Sequence, residues 1–304
     1  MNPKLYIAII PISVLFVLGF STLNPEFLNA FIKHDGGQSL KVYALKLPDS
    51  VDFCGEKAPL ESPDIKERLD KELLVNTYWQ SNMMLLLKKA NKWFPKIELI
   101  LREEGVPDDF KYLAVIESGL ENVRSPRGAK GFWQLMPTTA REYGLEVNKN
   151  VDERYHIEKS TRVACKYILK AKERFGSWTL AAASYNLGMY GTDRSLNNQL
   201  VNGYYDLLLN NETSRYLFRI LAVKEIMSHP KRYGFIFEQS DLYQPIPVKI
   251  IGLNKPIENI AVFAKEQDIN YKLLKIHNPW LIQNHLNNKS RKYYEIMIPD
   301  QKHH

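Results

Sequence analysis

The chain has 304 residues, of which 45% are hydrophobic and 25% charged. That allows one sizeable domain with smaller attachments and excludes wholesale disorder. A formal charge of +7 favours an anionic partner, but Lys and Arg are spread along the chain rather than clustered, so nucleic-acid binding is not expected. Two cysteines, Cys54 and Cys165, exclude a disulfide framework and a cysteine-rich zinc site. A single Cys54–Cys165 bridge stays open. The seven His residues show no ligand spacing, and no metal or cofactor is expected.

Residues 1–23 contain the uncharged run Leu5 to Phe20, LYIAIIPISVLFVLGF, behind Lys4. It reads as a signal peptide or a short membrane anchor, which places the remainder in the cell envelope, on the periplasmic side. Residues 24–60, with Gly36, Gly37, Pro48 and Pro59, lack a sustained period and read as linker or irregular cover. Ser62 and Pro63 form a helix start. Helices are expected to about Asn76, from Ser81 to Phe94, and from Pro95 to Glu104, with Gly105 as stop. Asp108 can cap a helix carrying FKYLAVIES, and Thr138 a short helix ending near Gly144. A longer helix spans Ile157 to Phe175, with Thr161, Ala164, Cys165 and Ile168 on one face. An alanine-rich helix follows from Ser177 to before Gly188, and another covers Thr213 to Ser228. The fold class is therefore mainly α over residues 61–240. Strands at Val248–Ile251 and Tyr293–Ile298, with helices Ile257–Gln267 and Tyr271–His277 between them, suggest a small separate βααβ module over residues 245–300. The helical part is expected to fold without the residues after about Ile246.

Glu117 ends the apolar run YLAVIE. A carboxylate held in such surroundings has its pKa raised, and a glutamate protonated near neutral pH is what a glycosidase general acid needs. Ser118 and Gly119 follow directly. The loop SPRGAKGFWQLMP then brings Gly131, Trp133, Gln134 and Met136. A ring beside an amide suits sugar, the ring covering an apolar face and the amide bonding hydroxyl or acetamido groups. Tyr185 and Asn186 stand at a helix end before Gly188, and Glu212, Thr213 and Tyr216 come later in ETSRYLFRI.

The order E-S, then G-x-x-Q with its Met, then Y-N-x-G, then E-T-x-x-Y resembles the soluble-lytic-transglycosylase domain, in its membrane-bound D type, over about residues 61–240. The resemblance implies a helical, goose-lysozyme-like fold and a cleft for peptidoglycan glycan strands. It makes Glu117 the catalytic acid. Ser118, Gly131, Trp133, Gln134, Met136, Tyr185, Asn186 and Tyr216 become substrate-binding or supporting residues. The chain departs from the family's G-L-M-Q with Phe132 and Trp133, and has Ser184 where alanine is usual. The resemblance also implies that one acid serves twice. Glu117 protonates the glycosidic oxygen and then takes a proton from the muramic C6 hydroxyl, giving a 1,6-anhydro end. An ordinary glycosidase uses two carboxylates about 5–9.5 Å apart, and Glu121 is the nearest candidate in sequence. A goose-type hydrolase and a non-catalytic wall-binding protein are the alternatives. The C-terminal stretch FAKEQDINYKLLKIHNPWL resembles LysM, though GLNKPIENI replaces its usual opening turn, so glycan binding and a structural appendage both stay open for it. A monomer is expected.

Overall fold

The computed structural model describes residues 42–300; the apolar N-terminal run lies outside them. No helix among the described residues is long and apolar enough to cross a membrane.

The chain enters the fold earlier than its composition suggests. Strands β1 (Asp52–Phe53) and β2 (Glu56–Lys57) form a small antiparallel hairpin. Val51, Phe53 and Ala58 are buried in the main core, with Phe53 packed edge-on against Phe110 at 4.9 Å. This segment is therefore part of the domain, not linker. Its missing period reflects its brevity, too short for an apolar repeat to show.

Helix α1 runs Pro63–Tyr78 and α2 Gln80–Glu103. The break expected at Pro95 does not occur, and α2 passes through it. An interior proline costs about 3 kcal/mol. It is outweighed because Met83, Leu86, Leu87 and Ala90 before it and Ile97, Ile100 and Leu101 after it share one buried stripe, each large side chain contributing roughly 1.5–3 kcal/mol. A 3-10 turn at Asp108–Phe110 leads into α3 (Lys111–Ser118), which ends on left-handed Gly119, φ 63°. Asp108 pairs with Lys111 at 2.9 Å instead of capping. Helix α4 covers Pro137–Glu142, its proline in the first turn. Helix α5 (Ile157–Phe175) ends at left-handed Gly176, and Thr161, Ala164, Cys165 and Ile168 are all buried on it, as the spacing predicts. Both cysteines are free thiols.

Helix α6 (Trp178–Leu187) begins where the hairpin meets it. The Glu56 carboxylate accepts from Trp178 N at 2.6 Å, Thr179 N at 2.8 Å, Ser177 Oγ at 2.7 Å and Thr179 Oγ1 at 2.6 Å. A carboxylate is stabilised at a helix N-terminus by these unpaired donors. Although burial opposes ionisation, the hydrogen bonds to Thr179, Ser177 and Trp178 hold Glu56 below the usual glutamate range. Helix α7 (Met189–Gln199), unexpected from the sequence, buries only Thr192, which leaves no apolar stripe to read. Helix α8 (Asn211–Ser228) is capped by Asn210, whose Oδ1 accepts from Thr213 N at 3.0 Å. It is buried on most of its circumference, from Tyr216 to Val223 and on to Ile226, as a central helix must be. It packs on α1, α3 and α6.

The C-terminal part has the expected order: β3 (Val248–Leu253), α9 (Ile260–Glu266), α10 (Tyr271–His277) and β4 (Tyr294–Pro299). The strands are antiparallel, Val248 opposite Pro299 and Leu253 opposite Tyr294. It is not separate, however. Val151 belongs to the same buried cluster as Ile260, Leu274, Trp280, Leu281 and Ile296. Asp152 N donates to Trp280 O and Ile282 N to Asn150 O, both at 2.9 Å. Tyr294 Oη donates to Glu146 Oε2 at 2.8 Å. A sequence period shows which residues are apolar but not which neighbour they pack on, so this docking was not legible.

Candidate active site

Glu117 is the seventh residue of α3, one before its end. Its helix is held by buried Tyr112, Leu113, Ala114 and Val115, and α8 lies against it. The left-handed Gly119 then turns the chain away. Glu121 is consequently not one helical turn below Glu117. It is exposed and paired with Lys89 at 2.5 Å.

Tyr216, buried on α8, donates from Oη to Glu117 Oε1 at 2.5 Å. Burial is the largest influence on Glu117. It outweighs the Tyr216 hydrogen bond and the nearby Arg219, both of which favour the charged form, while Glu212 adds repulsion; the carboxyl is pushed up to about 7. Arg219 stands three residues beyond Tyr216 on α8, hence on the same face, and donates from Nη2 to Ile116 O at 3.1 Å.

Glu117 opens into a cleft of about 620 Å³, shared with Ser118, Trp79, Asn82, Glu212, Arg215 and Arg219 among others. That volume is within the roughly 300–1,000 Å³ of ligand-binding sites. Ser118 Oγ donates to Ala114 O at 3.0 Å and so tightens the helix end.

The remaining residues named from the sequence are not among those that line this cleft. Trp133 corrects the expectation most clearly. It is fully buried, and its Nε1 donates to Thr161 Oγ1 at 2.8 Å. Its ring has no free face for a sugar. Its carbonyl accepts from Tyr185 Oη at 2.8 Å, and Tyr185 is near enough to Glu117 to feel its charge. Gly131 is also buried, at φ 80°; a Cβ there would stand 2.0 Å from Arg154 O. Only glycine allows that approach, so Gly131 acts through the backbone fold. Gln134 adopts a left-handed φ of 44° and donates from Nε2 to Gly131 O at 2.7 Å and Val123 O at 3.2 Å, pinning its own loop. Met136 is 40% exposed but does not line the cleft. Asn186 accepts from Thr213 Oγ1 at 2.9 Å and donates to Glu212 Oε1 at 3.4 Å, tying the end of α6 to the start of α8.

Sequence reasoning missed Arg219, Arg215 and Trp79. The i+3 spacing from Tyr216 could have flagged Arg219. Trp79 fell into the gap between two expected helices. A consequence of the Arg219 position can be measured. A glutamate serving as a general acid must be protonated, so an activity carried by Glu117 would fall as pH rises through its pKa. Arg219→Met removes a cation that favours the charged form. The alkaline limb of kcat/KM against pH is expected to move upward from about 7; an unmoved or lowered limb would show that Arg219 does not act on Glu117.

A mainly helical frame bearing this buried acid, followed by a βααβ unit, has counterparts among known proteins. Residues 96–204 match the transglycosylase SLT domain, and residues 249–302 match the soluble lytic transglycosylase C-terminal LysM-like domain. The chain thus carries an SLT transglycosylase domain followed by a LysM-like domain. It is homologous to membrane-bound lytic murein transglycosylase D of Escherichia coli strain K12, with 26% identity over 256 residues, covering 81% of this chain and 55% of the relative. The counterpart in E. coli O6:H1 matches equally. The chain spans about half the length of these relatives. Among solved structures, an inactive mutant of lytic transglycosylase Slt from Pseudomonas aeruginosa is 20% identical, with a TM-score of 0.38 over 50% of this chain and 26% of that one.

Proposed function

We propose that this chain is a peptidoglycan lytic transglycosylase, cleaving the β-1,4 bond between N-acetylmuramic acid and N-acetylglucosamine and leaving a 1,6-anhydro end. The observation that carries this reading is the Glu117 carboxyl, which holds its proton to about 7 while open to a cleft. The SLT match and the name of the homologous murein transglycosylase support it. Glu117 protonates the glycosidic oxygen as the bond breaks. The Tyr216 hydroxyl and the Arg219 guanidinium stabilise the carboxylate left behind. That carboxylate then removes the proton of the C6 hydroxyl, which is tethered to the reacting carbon and attacks at high effective concentration. Trp133, Tyr185 and Gly131 position this machinery without lining the cleft. The apolar N-terminal run and the membrane-bound relative support a place at the cell envelope, on the periplasmic side, and the chain acts as a monomer.

Digestion of purified sacculi followed by mass spectrometry tests the reaction. Muropeptides lighter by one water than lysozyme products are expected. Predominantly reducing-end muramic acid would overturn the lytic reading in favour of a hydrolase. Glu212 would then be the first residue to mutate, because it lines the same cleft, whereas Glu121 does not.

A further inference from the structure

Trp79 separates α1 from α2. Its φ of −84° and ψ of 60° are not helical, yet its backbone is fixed from both sides. Its N–H donates to Val75 O at 3.0 Å, and its carbonyl accepts from Met83 N at 3.1 Å. The indole nevertheless stands 61% exposed. An exposed indole in the wall of a cleft presents an apolar ring face of the kind that covers the apolar face of a sugar. Trp79 lines the cleft that contains Glu117, and Val75, Asn76 and Asn82 line it too. Asn76 spends its Nδ2 on Glu72 O at 2.7 Å, which leaves its carbonyl oxygen as an acceptor. Asn82 brings a second carboxamide. The SLT match begins at residue 96, so this corner of the cleft lies upstream of it.

We propose that the α1–α2 junction is a saccharide subsite. The Trp79 ring covers the apolar face of an N-acetylhexosamine ring, and the amides of Asn76 and Asn82 bond its acetamido or hydroxyl groups. The subsite takes a sugar of the strand whose linkage lies at Glu117, and so rests on the glycan-cleaving reading above. It fills the role that the sequence suggested for Trp133, with a ring that has a free face.

The test uses the full chain carrying Glu117→Gln, which prevents turnover, titrated calorimetrically with tetra-N-acetylchitotetraose. Adding Trp79→Ala is expected to weaken binding by about tenfold, the scale of one aromatic contact, while Trp79→Phe retains most of it. Circular dichroism checks that both variants fold. In the active chain, Trp79→Ala is expected to raise KM with kcat nearly unchanged. Unaltered binding on Trp79→Ala overturns the subsite while leaving the anhydro product, and hence the lytic reading, intact. Absence of oligosaccharide binding by the parent chain also overturns it. Reducing-end products with weakened Trp79→Ala binding would sink the lytic reading and keep the subsite.

Discussion

Glu117→Gln is expected to reduce glycan cleavage by at least about 100- to 10,000-fold, the usual worth of general acid–base help, because in the proposed reaction one carboxyl serves both proton transfers. Retention of more than about a tenth of the activity would remove Glu117 from the acid's role. The same change should stabilise the fold above neutral pH. The folded chain holds the Glu117 proton up to about 7, whereas an ordinary glutamate releases it near 4.5. Between those values the unfolded state binds fewer protons, so stability falls as pH rises through the window. At pH 8 the charged carboxylate costs about 3 kcal/mol, which Gln avoids while keeping the shape. Thermal unfolding of the two proteins at pH 4 and pH 8 measures this: a gap of roughly 6–12 °C at pH 8 that closes at pH 4. Equal midpoints at pH 8 would mean that the acid is not desolvated as its surroundings suggest.

Removing the residues after Ile246 is expected to destabilise the helical domain rather than leave it intact, as the sequence alone suggested. Val151 loses the whole apolar cluster that buries it. Asp152 N and Asn150 O lose their partners, and buried Glu153 loses Lys292. Phe132 and Trp93, which face Trp280 across a shared cavity, meet water. Burial of one such side chain is worth roughly 1.5–3 kcal/mol, so the loss exceeds about 3 kcal/mol and the midpoint falls by about 10 °C. An unchanged melting temperature for the truncated chain would show that the docking contributes no stability.

What was legible in the sequence had a local cause. The ends of α5 are set by Gly176 and by the spacing of Thr161, Ala164, Cys165 and Ile168, all within one segment. Glu117 drew notice as an acid closing an apolar run, but it was the order of the E-S, G-x-x-Q, Y-N-x-G and E-T-x-x-Y motifs that made it the expected acid. What was not legible depended on partners distant in the chain. Pro95 argues for a break unless the stripe beyond it packs in line with the stripe before it. Trp133 reads as a sugar platform until Thr161, 28 residues away, is seen to take its N–H. Trp79 belongs to the cleft only because two helices meet beside α3. The role of Glu56 in capping α6 spans more than a hundred residues.

That last contact also decides where the molecule bears load. A pull that reaches the hairpin is taken up by the hairpin's own anchors. It arrives at Glu56, whose four bonds lead to the start of the helix carrying Tyr185 and Asn186. It arrives also at Asp52 and Cys54, which are held by Lys224 and Asp109. These anchors stand at successive points of the chain, so a pull from upstream loads the Asp52 contact before those of Cys54 and Glu56. The helix that carries Tyr185 is thus reached from that side only through the contacts of the hairpin.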